Sequence, residues 1–316
     1  MRSGWGVGSP EQPSAVLGFI ASWLNSIHIY VFAFVSGYIF FYLKYERKRY
    51  NNLIKDTLHR AKQLLVPYVV ASVIWVIPMG YLFFKYSVKD IIKNYLLAIS
   101  PSQLWFLVML FTLFVVFYLF SDLLEKHNLL VGIIICGAFY AIGLLGNILV
   151  PNVLQIWTAF KYFVFYYMGF AFRKYKDNFL YQVPWFVWLG LNIAAFSLNY
   201  WFVSLQDGKL FGLISMGLSP LASVFGVLAV ATAVAGIDVS KVQQNSVYNF
   251  LEKHNFVVYL LHQQLIYVTL FVLNGKIPAI LLMMINLVFA LSLSLAVAYI
   301  ISKIPKVRGL FNYKEE

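Results

Sequence analysis

The 316-residue sequence predicts an all-α fold, a polytopic transmembrane helix bundle of nine spans. Three observations lead there. The chain is 61% hydrophobic and only 11% charged, with a mean hydropathy of +0.77, which is more apolar surface than one soluble core of this length can hide. Its apolar windows run unbroken for roughly 17–25 residues, long enough for helices crossing a bilayer core and too long for the alternating strands of a barrel. Its lysines and arginines are also sorted, loop by loop, to one side of those windows.

Residues 1–14, rich in Gly, Ser and Pro, read as a flexible leader without the basic start and apolar centre of a signal peptide. Residues 15–316 read as one transmembrane domain. Residues 15–23 are mildly apolar but are followed by Asn25, Ser26 and His28, so they read as an interfacial approach to a first span over 27–43. The basic segment 44–63 follows. Tyr50, Leu53, Ile54, Thr57, Leu58, Ala61, Leu64 and Leu65 recur at spacings of three and four, while Arg47, Lys48, Lys55, His59, Arg60 and Lys62 fill the other positions. This predicts an amphipathic helix along the cytoplasmic interface, with Pro67 opening the next span. Further spans are predicted over 64–84, 104–120, 129–149, 156–172, 183–205, 211–236, 256–273 and 277–301.

If the first span runs inward, the inner segments hold seventeen of the Lys and Arg residues and the outer ones six, with Lys161 inside a span. Positive charge stays on the cytoplasmic side, so the C-terminus is expected there and the N-terminus outside. An outside N-terminus without a signal peptide leads to the expectation that one further span precedes Met1.

Polar residues inside spans face the protein interior, because an ionised group at mid-bilayer costs about 2.5–3.5 kcal/mol. The densest set is Tyr259-Leu260-Leu261-His262-Gln263-Gln264. With its span starting at 256, His262 is expected about seven residues from the cytoplasmic end, roughly 10 Å deep. Imidazole titrates near neutrality and suits a general base. As plain interhelical hydrogen bonds these side chains would contribute about 0.6 kcal/mol each. Asn147, Asn192, Asn199 and Asn286 are further candidates for such bonds. Lys161 is expected to snorkel outward, and Trp105 to belong to the interfacial aromatic belt. The cations of 44–63 are generic lipid-facing charge on one view and phosphate-binding groups for coenzyme A on another. Cys136 is the single cysteine, so disulfides and a cysteine metal site are excluded, and the spacing of metal ligands is absent. The basic residues are committed to a membrane face, which excludes a nucleic-acid surface.

Five strings, in order, resemble the integral-membrane acyltransferase family 3. They are Ser26-Ile27-His28-Ile29-Tyr30 through Val35-Ser36-Gly37-Tyr38, Arg60-Ala61-Lys62-Gln63-Leu64-Leu65-Val66-Pro67-Tyr68, Leu104-Trp105-Phe106-Leu107, Tyr162 through Phe170, and Val258-Tyr259-Leu260-Leu261-His262. The resemblance implies ten spans in the cell membrane, with both termini cytoplasmic. It implies transfer of an acyl group, commonly acetyl, from cytosolic acetyl-CoA to a hydroxyl of a surface or secreted glycan or a lipid-linked sugar, without a metal. His28 and His262 would be the catalytic residues, serving the outer and inner sides, and Arg60 and Lys62 would bind the donor. The family's first helix carries an arginine and a histidine that have no counterpart here, in keeping with a span before Met1. A transporter or flippase of a lipid-linked glycan, or an inactive truncated remnant, is the alternative.

Overall fold

The computed structural model describes residues 14–175, 182–204 and 209–313, with the side chains of 204, 209–213 and 239 left aside. Apart from Ser14, the leader 1–14 lies outside the described residues. Among the described residues the secondary structure is helical throughout, as the sequence predicts.

The chain opens with α1 (Ala15–Asn25), begun by the Ser14 hydroxyl accepting from the Leu17 N–H at 3.3 Å. A break at Ser26–Ile27 leads into α2 (His28–Phe41), which ends in a wide π turn over Tyr42–Glu46. The approach expected at the interface is therefore helical and packed. Trp23 Nε1 donates to Asn192 Oδ1 at 2.7 Å, and Phe19 meets Phe196 and Tyr200 edge-on.

Helix α3 (Leu53–Phe84) starts at Asn52, whose side chain accepts from the Lys55 N–H at 3.0 Å, and runs 32 residues without stopping at Pro67. No separate interfacial helix precedes the span: one helix of about 48 Å extends from the headgroup region through the bilayer. Its outward face is mixed, with Lys55, His59 and Lys62 exposed beside apolar residues. Ile54 and Leu58 are 72% and 65% exposed, while Asp56 is 8% exposed and Tyr68 and Ala71 are buried. Lipid gives apolar side chains no reason to turn inward, so Ile54 and Leu58 can face out while Asp56 takes the interior.

The turn Ser102–Leu104 leads into α4 (Trp105–Lys126), followed by α5 (Leu129–Leu149), α6 (Ile156–Lys174), α7 (Trp185–Ser204), α8 (Lys209–Ala235), α9 (Ser246–Leu273) and α10 (Ala279–Lys303). Among the described residues eight helices are long and apolar enough to cross a membrane, counting α1 and α2 as one. Helix α6, 19 residues long, carries Lys161, Arg173 and Lys174 and is not among them. Yet α6 is the centre of the bundle. Tyr162, Phe163, Phe165, Tyr166, Tyr167 and Phe170 are all buried against α2, α4 and α5. Conversely α10 has only 17% of its most apolar stretch buried inside the bundle.

Close approach of α2 and α6 depends on two glycines. A Cβ on Gly37 would overlap the Tyr166 carbonyl, and one on Gly169 would overlap the Phe34 carbonyl. Around this crossing Phe40, Phe114, Phe117 and Tyr166 pack edge-on or tilted, with the Phe117 and Tyr166 centroids 4.5 Å apart. Of the polar residues expected to bridge helices, Asn192 is completely buried and joins α1 to α8 by donating to the Ala222 carbonyl at 2.7 Å. Asn286 bonds Thr269 across α9 and α10. Lys161 lays its stem against Gly143 of α5.

Candidate functional site

Asn245 sets the position of the site. Its side chain accepts from the Val247 and Tyr248 N–H groups, so α9 begins at Ser246, ten residues before the apolar window. His262 is therefore about 24 Å along the helix from Ser246. It lies beside the turn that opens α4, in the same half of the bundle as His28. The sequence expects His262 to serve the inner side; its neighbours here lie at the end of α4 opposite Lys126.

The cluster around it is densely bonded. Gln103 and Gln264 exchange amide hydrogen bonds at 2.7 and 2.9 Å, and Gln103 Nε2 also reaches the Leu260 carbonyl. Gln263 donates to Ser102 Oγ at 3.0 Å and to the Tyr267 hydroxyl at 2.6 Å. The Tyr259 hydroxyl donates to the Gln103 carbonyl, and Trp75 Nε1, in the π turn Ser72–Val76 of α3, donates to the Leu261 carbonyl at 3.2 Å. Each amide and indole is thereby partnered, which fixes α9 against α3 and α4.

His262 is half-buried, and its Nδ1 lies 3.0 and 2.9 Å from the Val258 and Tyr259 carbonyl oxygens. Carbonyls only accept, so Nδ1 carries the proton and the Nε2 lone pair remains available as a base. His28, exposed, uses the same arrangement: its Nδ1 lies 3.0 Å from the Leu24 carbonyl, across the break between α1 and α2. An aromatic path links the two. Phe32, one turn after His28, packs on Phe106 at 5.8 Å, Phe106 on Tyr259 at 6.3 Å, and Tyr259 on His262 at 6.3 Å. Trp105 stands beside this path, edge-on to Tyr162, which stacks on Tyr30. It is partly buried and packed against the core.

At the basic end the four cations facing the bundle have different fates. Lys44 is paired with Asp122 at 2.8 Å, donates to Ser121 and sits over the Tyr118 ring. Arg173 grips Glu46 through two bonds of 2.8 Å and donates to the Tyr38 hydroxyl. Lys174 binds the carbonyls of Leu124, Glu125 and His127. Arg60 donates to Gln63 at 3.3 Å and lies over the Phe114 ring, but its buried Nε has no partner. A buried donor left unmet is a place for an anion. Near it, burial raises the pKa of the Tyr50 hydroxyl and the Arg60 cation pulls it back down. Lys62, two residues on and about 200° round the helix, is exposed. The two expected donor-binding residues thus face different ways. Arg60 is also separated from the His262 cluster, lying 15 residues before Trp75, about 22 Å along α3.

Gln103, Trp75 and Asp56 complete these two places, and sequence pattern did not single them out. Asp56 accepts from the Tyr118 hydroxyl and the Asn52 N–H, both at 3.0 Å. Its signal was available: it is the one acid among the cations of 44–63 apart from Glu46. Among the described residues no group of three or more His, Cys, Asp or Glu is placed to hold a metal.

Among known families, one described as an acyltransferase domain, of the acyltransferase family 3, matches residues 4–303. No curated protein and no solved structure matches the chain.

Proposed function

This chain belongs to the acyltransferase family 3 and is a multi-pass membrane acyltransferase, and on that footing we propose that it moves an acetyl group from acetyl-CoA to a hydroxyl of a surface or secreted glycan. The observation that carries the proposal is the half-buried His262 imidazole, whose Nδ1–H is committed to two carbonyls so that Nε2 is the nitrogen left to act as a base beside the polar cluster. In the proposed reaction Nε2 takes the proton of the sugar hydroxyl as its oxygen attacks the thioester carbonyl. The C–S bond then breaks, and the thiolate of coenzyme A recovers that proton from the imidazolium. His28, at the same end, meets the acceptor. Arg60 holds a donor phosphate at the basic end, which this reading places on the cytoplasmic side with the C-terminus, and Lys62 attracts the anionic donor from outside the bundle. The pantetheine arm is the part of the donor that has to bridge the two places.

The test is His262→Gln and Arg60→Gln in cells that display the glycan, with protein level and thermal stability checked in parallel. We expect polymer still displayed and its acetyl content reduced about a hundredfold or more for His262→Gln, the usual contribution of a general base. Unchanged acetylation removes His262 from the reaction, and loss of the polymer itself points to a transporter.

A further inference from the structure

A cavity of about 450 Å³ lies between α5, α6 and α8, away from both histidines. Leu129 and Tyr175 mark one end, at the basic face of the bundle, and Tyr140 and Pro220 the other. From Leu129 to Tyr140 it follows eleven residues of helix, about 16 Å, which is half of a hydrocarbon core of roughly 30 Å. Beyond Tyr140 the groove closes. Gly143 and Gly146 let α5 settle onto Lys161 and Trp157 so closely that an added Cβ would clash. Its lining is aliphatic and aromatic, with the buried Cys136 the one thiol. The mouth is flanked by Leu130, Ile133 and Ile134, exposed by 63%, 55% and 61% on a face that a spanning helix turns to lipid.

At the rim, Lys126 and His127 are exposed in the turn before Leu129, and Lys174 holds that turn through the carbonyls of Leu124 and His127. Glu125 shares the rim, so its balance is cationic by Lys126 and Lys174 against one acid.

We propose that this groove binds one acyl chain of an anionic phospholipid from the leaflet at the basic end, with the headgroup at Lys126. The depth fits a chain from one leaflet. A neighbouring helix would need the full thickness, which the closed half denies it. Apolar lining takes the chain, and a basic rim selects an anionic headgroup. The proposal does not depend on the transferase reading.

The full chain in mild detergent, titrated with phosphatidylglycerol or phosphatidylcholine and weighed by native mass spectrometry, tests this. One phosphatidylglycerol should stay bound preferentially. Gly137 lines the groove and an added Cβ there meets nothing within 4 Å, so Gly137→Phe directs a ring into the groove. It should weaken that binding by at least about tenfold, the loss that two displaced methylenes bring. Gly190→Phe on α7, also in open space, should leave binding unchanged. Ile133→Trp serves as the second filling variant should the first lose thermal stability. Lys126→Gln should remove the preference for phosphatidylglycerol. The proposal is overturned if both filling variants bind as the parent does, if Gly190→Phe loses lipid equally, if phosphatidylcholine binds as well in the parent, or if a dimer lost on filling replaces the bound lipid.

Discussion

Gln103 and Gln264 show how a single side chain can decide whether this bundle is well packed. Each satisfies the other within a helix interface that water does not reach. Gln264→Leu leaves the Gln103 amide oxygen buried and unmet, and should lower stability in detergent by about 1–3 kcal/mol. In Gln103→Leu/Gln264→Leu both partners become apolar, so the double variant should be less destabilised than the two single losses added together. Additive losses in thermal melts would mean that the pair is uncoupled. His262 depends on a similarly local fact. Its tautomer follows from carbonyls three and four residues earlier, which any helix supplies. The sequence therefore showed a usable base at 262 without showing what surrounds it.

Among the helices, α6 and α3 depart furthest from what hydropathy suggests. Helix α6 is the least apolar of the long helices described and is as enclosed as α4, because its tyrosines and Lys161 are tolerated where lipid is absent. Its tight crossing with α2 should make Gly169→Leu cost more than Gly190→Leu. The expected difference is about 1–3 kcal/mol, the usual range for overpacking, read from melting of the two purified variants. Equal melting would mean that α2 and α6 can move apart without penalty. Helix α3 turns Ile54 and Leu58 outward and Asp56 inward. Its three-and-four spacing marked a helix correctly, but periodicity shows only that two faces exist, not which one meets the protein.

For the whole molecule, the threading of the helices puts the cation-rich segments at one end, where Lys44, Arg60, Arg173 and Lys174 gather. A reporter fused after Glu316 should be active in the cytoplasm, and one inserted just before the short helix Val88–Ile91 should be active outside. The reverse pattern would take the donor away from Arg60.

Composition, apolar window length and the sorting of charge are local properties, summed along the chain. For that reason the sequence alone determined the helical membrane class and the family resemblance. It also marked His28, His262 and Arg60 as chemically notable. Only the tertiary structure decided that His262 and His28 occupy the same half, that Arg60 turns inward while Lys62 turns out, and that α6 is central. Those outcomes depend on where a polar cap such as Asn245 starts a helix beyond its apolar window, and on which neighbour each face meets. Neither is encoded in hydropathy, because in lipid the apolar face gains nothing by choosing the interior.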